Sequence, residues 1–224
     1  MKNLDEIFGN LKTEKLFVLE GDNSALKLSH LLCVITQLPV KKGGLDSPVI
    51  WLDGGNAFDI YRVVELSKKF GLRPEKVLKR IYLSRAFTCY QMSLLILEKL
   101  CGAIERFRSK ILIISDLPYL YLKSDIQERE MLKAFMPVFE KLRTLRRIKD
   151  ILIIITAHDH SFAKRFVPIR DFMISNADVF LETRQRMSAT EVRAKSNASG
   201  RTRKIVFGAE VSGLVTLDRF DGGL

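Results

Sequence analysis

The sequence predicts an α/β fold: a mostly parallel central sheet flanked by helices, with a carboxyl-terminal β extension. Three observations carry this. Short β-rich runs alternate with amphipathic stretches, the pattern of helices covering a parallel sheet. Two of those runs, KILIISD at Lys110–Asp116 and DILIIIT at Asp150–Thr156, are apolar without alternation, as strands buried on both faces must be. The last quarter offers further short strand-like runs, Asp178–Glu182, Lys204–Phe207 and Leu214–Leu217, open to antiparallel pairing.

In chain order, LFVL at Leu16–Leu19 is the first predicted strand, followed by the turn-like Glu20–Ser24 and an apolar helix over Ala25–Leu38. PVIWL at Pro48–Leu52 is the second, ending at Asp53 and a Gly54-Gly55 turn before a helix over Phe58–Lys69. A short helix at Pro74–Arg80 leads into a third strand, Ile81–Leu83, and Thr88–Leu100 has the apolar spacing of a covering helix. Asp125–Arg147 forms one long helix or two joined near Pro137.

Composition bounds the function. The 224 residues carry 37 Lys and Arg against 26 Asp and Glu, a formal charge of +11, and 47% are hydrophobic, enough for a core and too many for a disordered chain. No run of about twenty uncharged apolar residues occurs, and the start MKNLDEIFGNLKTEK lacks the basic-then-apolar order of a secretory signal, so no membrane partner and a cytoplasmic address are expected. Cys33, Cys89 and Cys101 stand apart, without zinc or redox spacing, and are expected to be structural thiols.

Residues 141–204 hold 15 of the basic residues and 6 acidic ones, +9 of the total, concentrated at Lys141–Lys149 and Arg184–Lys204. Such a run is either a solvated face or a nucleic-acid surface; with few aromatics between the charges, phosphate contact is favoured over base stacking.

Ligands of open α/β sheets meet the carboxyl ends of strands, where Asp53, Asp116 and His158 fall. GDNSALKL at Gly21–Leu28 places Lys27 at phosphate-loop spacing from Gly21, but the second glycine position is Leu26 and the hydroxyl position Leu28, with Ser29 one place late. It serves as a phosphate loop or as a structural strand-to-helix turn. Asp116 either orients water about Mg²⁺ or stabilises a turn, and Asp53 is a candidate base or a turn carboxylate. HDH at His158–His160, with Asp53 and Asp116, leaves a metal-dependent hydrolase open beside a ligand-free turn.

The ordered set EGDNSALKL, VIWLDGGNAFDIYRVVELSKKFGL, VLKRIYLSRAFTCYQ, ILIISDLPYL and ILIIITAH resembles the ATPase core of the RecA/RadA recombinase superfamily, as a divergent, archaeal-type paralogue with a degenerate Walker A motif. The resemblance implies a RecA-like P-loop NTPase core over residues 14–218, with a short amino-terminal extension at 1–13 and a tail at 219–224. It gives Gly21 and Lys27 a phosphate role, Asp116 a Mg²⁺ role and His158 the place of a nucleotide sensor. The usual water-activating glutamate position falls at Gly55, so ATP and Mg²⁺ are admitted as ligands and neither is required. It also makes Arg184, Arg186, Arg193, Lys195, Arg201, Arg203 and Lys204 the expected DNA-binding residues. The expected function is a noncatalytic or weakly catalytic recombinase paralogue that binds DNA, a recombinase or homologous paralogue subunit, or further copies of itself, in recombination or repair. The alternatives are a divergent DNA-stimulated, Mg-dependent ATPase and a structural assembly subunit without DNA binding.

Overall fold

A computed structural model describes residues 13–125, 127–158, 164–186, 189–196 and 202–208. The chain runs β1 (Leu16–Gly21), α1 (Asn23–Ile35), β2 (Val49–Asp53), α2 (Ile60–Lys69), α3 (Pro74–Leu78), β3 (Ile81–Arg85), α4 (Cys89–Leu94), a π-helical turn (Leu95–Lys99), α5 (Leu100–Phe107), β4 (Ile111–Ser115), α6 (Leu117–Leu122), α7 (Glu128–Ile148), β5 (Leu152–His158), α8 (Phe166–Asn176), β6 (Val179–Arg186), β7 (Ala189–Ser196) and β8 (Thr202–Gly208). The eight strands form one sheet in the order β3-β2-β4-β5-β1-β6-β7-β8. β3 through β6 pair in parallel, and only β7 and β8 are antiparallel additions.

The apolar strands follow from burial on both faces. In β1, Leu16 and Val18 join Ile50, Leu112, Ile153 and Phe180 in a core beneath α4 to α8. Phe17 and Leu19 join Trp51, Ile113, Ile154 and Leu181 in a second core beneath α1 and α2. Each alternate residue feeds the opposite core, so neither face tolerates a polar stripe.

Helix boundaries obey side-chain chemistry. Thr88 Oγ1 accepts from the Gln91 N–H at 3.2 Å, and Gln91 Oε1 accepts from the Phe87 N–H at 2.8 Å, a reciprocal arrangement close to a capping box that starts α4. The predicted helix at Thr88–Leu100 extends to Phe107, with a π turn in its middle, and stops where Arg108 turns left-handed at φ 51. α7 continues past Pro137 as one helix, because Phe135, Val138, Phe139 and Leu142 are all buried along it.

The antiparallel pairing left open for the tail strands is present between β6 and β7 and between β7 and β8, while β6 is also parallel to β1. The structure makes two corrections in the carboxyl-terminal part. α8 and β7, neither foreseen, lie between the predicted strands. The basic run at Lys141–Lys149 is partly internal: Arg146 is 5% exposed, donating to the Glu14 carbonyl at 2.8 Å and pairing with Asp178 at 3.0 Å, while Asp178 also accepts from the Leu16 N–H at 2.7 Å. That cation pins the start of β1 instead of meeting a polyanion. Residues 1–12, the predicted strand Leu214–Leu217 and the tail at 219–224 lie outside the described residues. Among the described residues, no helix is long and apolar enough to cross a membrane. Cys33 and Cys89 are buried free thiols and Cys101 is half-buried; burial pushes the Cys33 thiol far up, which fits the structural role.

Candidate functional site

The carboxyl ends of β1, β2, β4 and β5 surround a cavity of about 190 Å³ lined by Asp22, Asn23, Gly55, Ala57, Asp116, Thr156 and His158, among others. This is where a doubly wound sheet offers a ligand site, but the volume lies below the roughly 300 Å³ at which small-molecule pockets begin. It brings together Asp116, His158 and the Gly55 position. Gly21, Lys27 and Asp53 are not among its lining residues.

The first turn explains the separation. A phosphate loop needs several residues between strand and helix; here Asp22 alone stands between Gly21 and Asn23. Asp22 is the α1 N-cap: one carboxylate oxygen accepts from the Ser24 N–H at 2.8 Å and the other from the Gln185 N–H of β6 at 2.7 Å. Burial works to raise its pKa, but hydrogen bonds from Ser24 and Gln185, with the Lys27 charge, hold it below the ordinary 3.8. An internal carboxylate therefore occupies the helix end that would meet a phosphate. Lys27, in the second turn of α1, extends to Gln185 Oε1 at 3.5 Å.

Gly21 is needed for strand packing. At φ 158, a Cβ there would lie 2.0 Å from the Thr183 carbonyl oxygen and 2.4 Å from its hydroxyl oxygen. β6 approaches β1 too closely for a side chain. Of the two readings of this segment, these contacts are those of a structural strand-to-helix turn.

Asp53 is held in the turn that follows β2. It is 0% exposed, and its carboxylate accepts from the Ala57 N–H (2.9 Å), the Phe58 N–H (3.3 Å), Ser115 Oγ (2.7 Å) and Arg85 Nε (3.2 Å). Trp51 Nε1 donates to the same Ser115 hydroxyl at 3.3 Å. With two backbone amides, a hydroxyl and a guanidinium on one buried carboxylate, Asp53 organises the β2–α2 turn. A Cβ at Gly55 would meet Asp116 Cβ at 3.0 Å, so a side chain there would require Asp116 to shift by a few tenths of an ångström.

Asp116 sits in left-handed backbone at φ 48, where its N–H donates to Thr156 Oγ1 at 2.9 Å and its carboxylate accepts from the His158 N–H at 3.0 Å. It clamps β4 to β5 at the cavity wall. His158 is exposed and enters this contact through its main chain. With Asp22 on the Ser24 and Gln185 amides, Asp116 on the His158 amide and Lys27 turned toward β6, these residues do not fit an ordinary Mg²⁺–ATP arrangement. Asp159 and His160 lie outside the described residues, and among the described residues no group of three or more His, Cys, Asp or Glu could hold a metal.

His30 connects α1 to the Asp53 turn. Its Nδ1–H donates to the Leu26 carbonyl at 2.8 Å and Nε2 accepts from the Asp59 N–H at 2.8 Å, with the ring 4.8 Å from Trp51 and 5.8 Å from Phe58. Desolvation by burial holds its pKa below the ordinary 6.5, against the opposing pull of the Leu26 carbonyl and Asp59. The unfolded chain therefore takes up this proton first as pH falls, so His30's contribution to stability is complete above pH 6.5 and declines below it. Urea midpoints are expected to drop between about pH 7.5 and pH 5.5, and to drop less in His30→Gln; equal slopes in both proteins would refute the assignment.

Of the predicted DNA-binding residues, Arg184 and Arg193 are exposed, Arg193 pairing with Glu191 at 2.7 Å. Arg186, Lys195, Arg203 and Lys204 are placed by strand register alone, and Arg201 lies outside the described residues. Sequence reading missed Asp22, although an aspartate directly before a helical run is an N-cap signal. It also missed the buried Glu20, which Arg170 of α8 grips with Nε at 2.8 Å from both carboxylate oxygens while its Nη2 meets Glu182 at 2.8 Å.

A parallel sheet in this order, with helices on both faces and the site at the ends of β1, β2, β4 and β5, defines a RecA-type core. The Rad51 family model matches residues 1–164, and the chain belongs to the Rad51 family, within the RecA/Rad51 recombinase superfamily. It is 33% identical over 163 residues to the DNA repair protein RAD51 of Mycosarcoma maydis, covering 69% of this chain and 47% of that protein. It is 30% identical over 162 residues to the DNA repair protein RAD51 homolog 1 of Arabidopsis thaliana, and 28% identical over 162 residues to the DNA repair protein RAD51 homolog B of Zea mays, with the same coverage. The chain spans about half the length of the curated relatives it matches. The family match ends at residue 164, before α8 and β6 to β8.

Proposed function

We propose that this chain is a Rad51-family paralogue that serves recombination or repair by binding DNA, a recombinase partner, or both, with little or no ATP turnover. The observation that carries the noncatalytic part is Asp22: its carboxylate takes the Ser24 N–H at the α1 end and, with Asp116, gives the cavity two negative groups where a polyphosphate would need positive ones. Gly55 at the water-activating position supports the same reading. The family membership and the carboxyl-terminal charge support the binding part, in which lysines and arginines attract nucleic acid and release its counterions.

A titration of the full chain with a fluorescent ATP analogue and Mg²⁺, with and without DNA and a Rad51-family recombinase, tests this. No saturation up to about 1 mM is expected, equivalent to less than about 4 kcal/mol of binding. Saturable, Mg²⁺-dependent binding lost in both Lys27→Ala and Asp116→Ala would overturn it in favour of a DNA-stimulated ATPase. Stable partner capture without DNA affinity would favour the assembly subunit.

A further inference from the structure

Resting on the DNA-binding reading above, we propose that the β6–β7–β8 ribbon binds the phosphate backbone of duplex DNA through one face only, and that five of the seven predicted residues form that contact while Arg203 stands outside it. The strand register carries the division. Glu182 pairs with Arg193 and Arg193 with Lys204; Arg184 pairs with Glu191; Phe180 pairs with Lys195; Arg186 pairs with Ala189. Residues opposite one another share a face, and alternate residues along a strand return to it. Arg184, Arg186, Arg193, Lys195 and Lys204 therefore occupy one face. The row Leu181–Ala194–Arg203 belongs to the other.

The two faces differ in what they already do. On the Arg203 side, Leu181 and Val192 are buried in the core beneath α1, so that face is committed to packing. On the cationic side, Arg184 and Arg193 are exposed, and the two acidic residues each carry an arginine: Glu182 holds Arg170 and Glu191 holds Arg193. The local pairing offsets the negative charge, and the five basic residues stand on three neighbouring strands, in which alternate positions along a strand are about 7 Å apart and facing positions about 5 Å apart. A dense row of phosphates is the polyanion such a lattice suits.

Bases are not what it reads. Phe180, the aromatic residue at the start of this face, is 1% exposed under Arg170, whose guanidinium lies 5.6 Å from the ring centre, so it offers no stacking platform. Contact confined to phosphates positions a duplex without specifying its sequence.

The test is a fluorescence-anisotropy titration of the full chain with labelled duplex DNA over a range of salt, comparing wild type, Arg184→Gln/Lys195→Gln/Lys204→Gln and Arg203→Gln, each with a thermal melt to verify folding. Arg193 is kept so that Glu191 stays paired. The triple variant is expected to flatten the log K against log salt slope by about three and to bind at least about tenfold more weakly near 0.1 M salt, with Arg203→Gln within about twofold of wild type. Where the triple variant melts, Lys195→Gln alone is expected to lower the slope by about one. Equal losses in Arg203→Gln and the face variants, or an unchanged slope in the latter, would overturn the one-sided contact while leaving DNA binding intact. Absence of duplex binding by the wild type would defeat the underlying DNA reading and the ribbon contact together.

Discussion

Gly21→Ala is expected to cost about 3 kcal/mol or more of stability, although it removes a glycine from the very turn that resembles a phosphate loop. The added methyl group would lie 2.0 Å from the Thr183 carbonyl oxygen, a backbone atom that can retreat only if β6 separates from β1. Positive φ adds strain to overlap, and either alone accounts for about 1–3 kcal/mol. Thr183→Ala would not rescue it, because the closest atom belongs to the main chain. Urea unfolding of both single variants and the double variant measures this; a loss below about 1 kcal/mol in Gly21→Ala would show that the strands have room to part.

Asp53→Ala is expected to cost about 3 kcal/mol, with Arg85→Ala costing about 1 kcal/mol. The asymmetry follows from exposure. Arg85 is 38% exposed and can be rehydrated when its partner is gone, so the ion pair itself contributes modestly. The Ala57 N–H, Phe58 N–H and Ser115 hydroxyl lie against a carboxylate that is itself fully buried, and truncation strands them together with the Trp51 N–H relay. Asp53→Asn should fall between the two, since an amide still accepts from part of this set. Equal losses in Asp53→Ala and Arg85→Ala would show that the charge pair, and not the turn amides, dominates.

Much of the fold was legible because parallel strands buried on both faces leave unbroken apolar runs: LFVL, VIWL, ILIIS and LIIIT each lie within or on a strand. α8 and β7 left weaker traces. FVPIRDFMISN mixes charged and apolar residues around its circumference and carries Pro168 in its first turn, while ATEVRAKS has Val192 as its one large apolar residue and reads as a basic tail. The candidate site was legible in place but not in chemistry. Asp116 and His158 do meet at the strand ends, as their positions suggested. Spacing placed Lys27 with Gly21, yet the capping of α1 by Asp22 fixes where the helix starts and sends Lys27 toward β6. For Asp53 both a base and a turn carboxylate were open, because sequence shows a carboxylate but not the amides and hydroxyl that converge on it.

The position of β1 has a kinetic consequence. Among the described strands it is the earliest in the chain, but both of its neighbours come late: Leu16 pairs with Ile153 and Phe17 with Val179. Closing those contacts spans well over a hundred residues, so their loop entropy must be met before the centre of the sheet forms. β2, β3 and β4 pair over much shorter stretches and can associate first, as a partial sheet whose β4 edge waits for β5. Until β5 and β6 emerge, LFVLEG is an unpaired, apolar strand of the kind that other chains can capture. Residues 16–21 thus stay open to capture until residues 152–186 are made, and shortening the chain within β6 would leave the strand on which both cores are built with one neighbour incomplete.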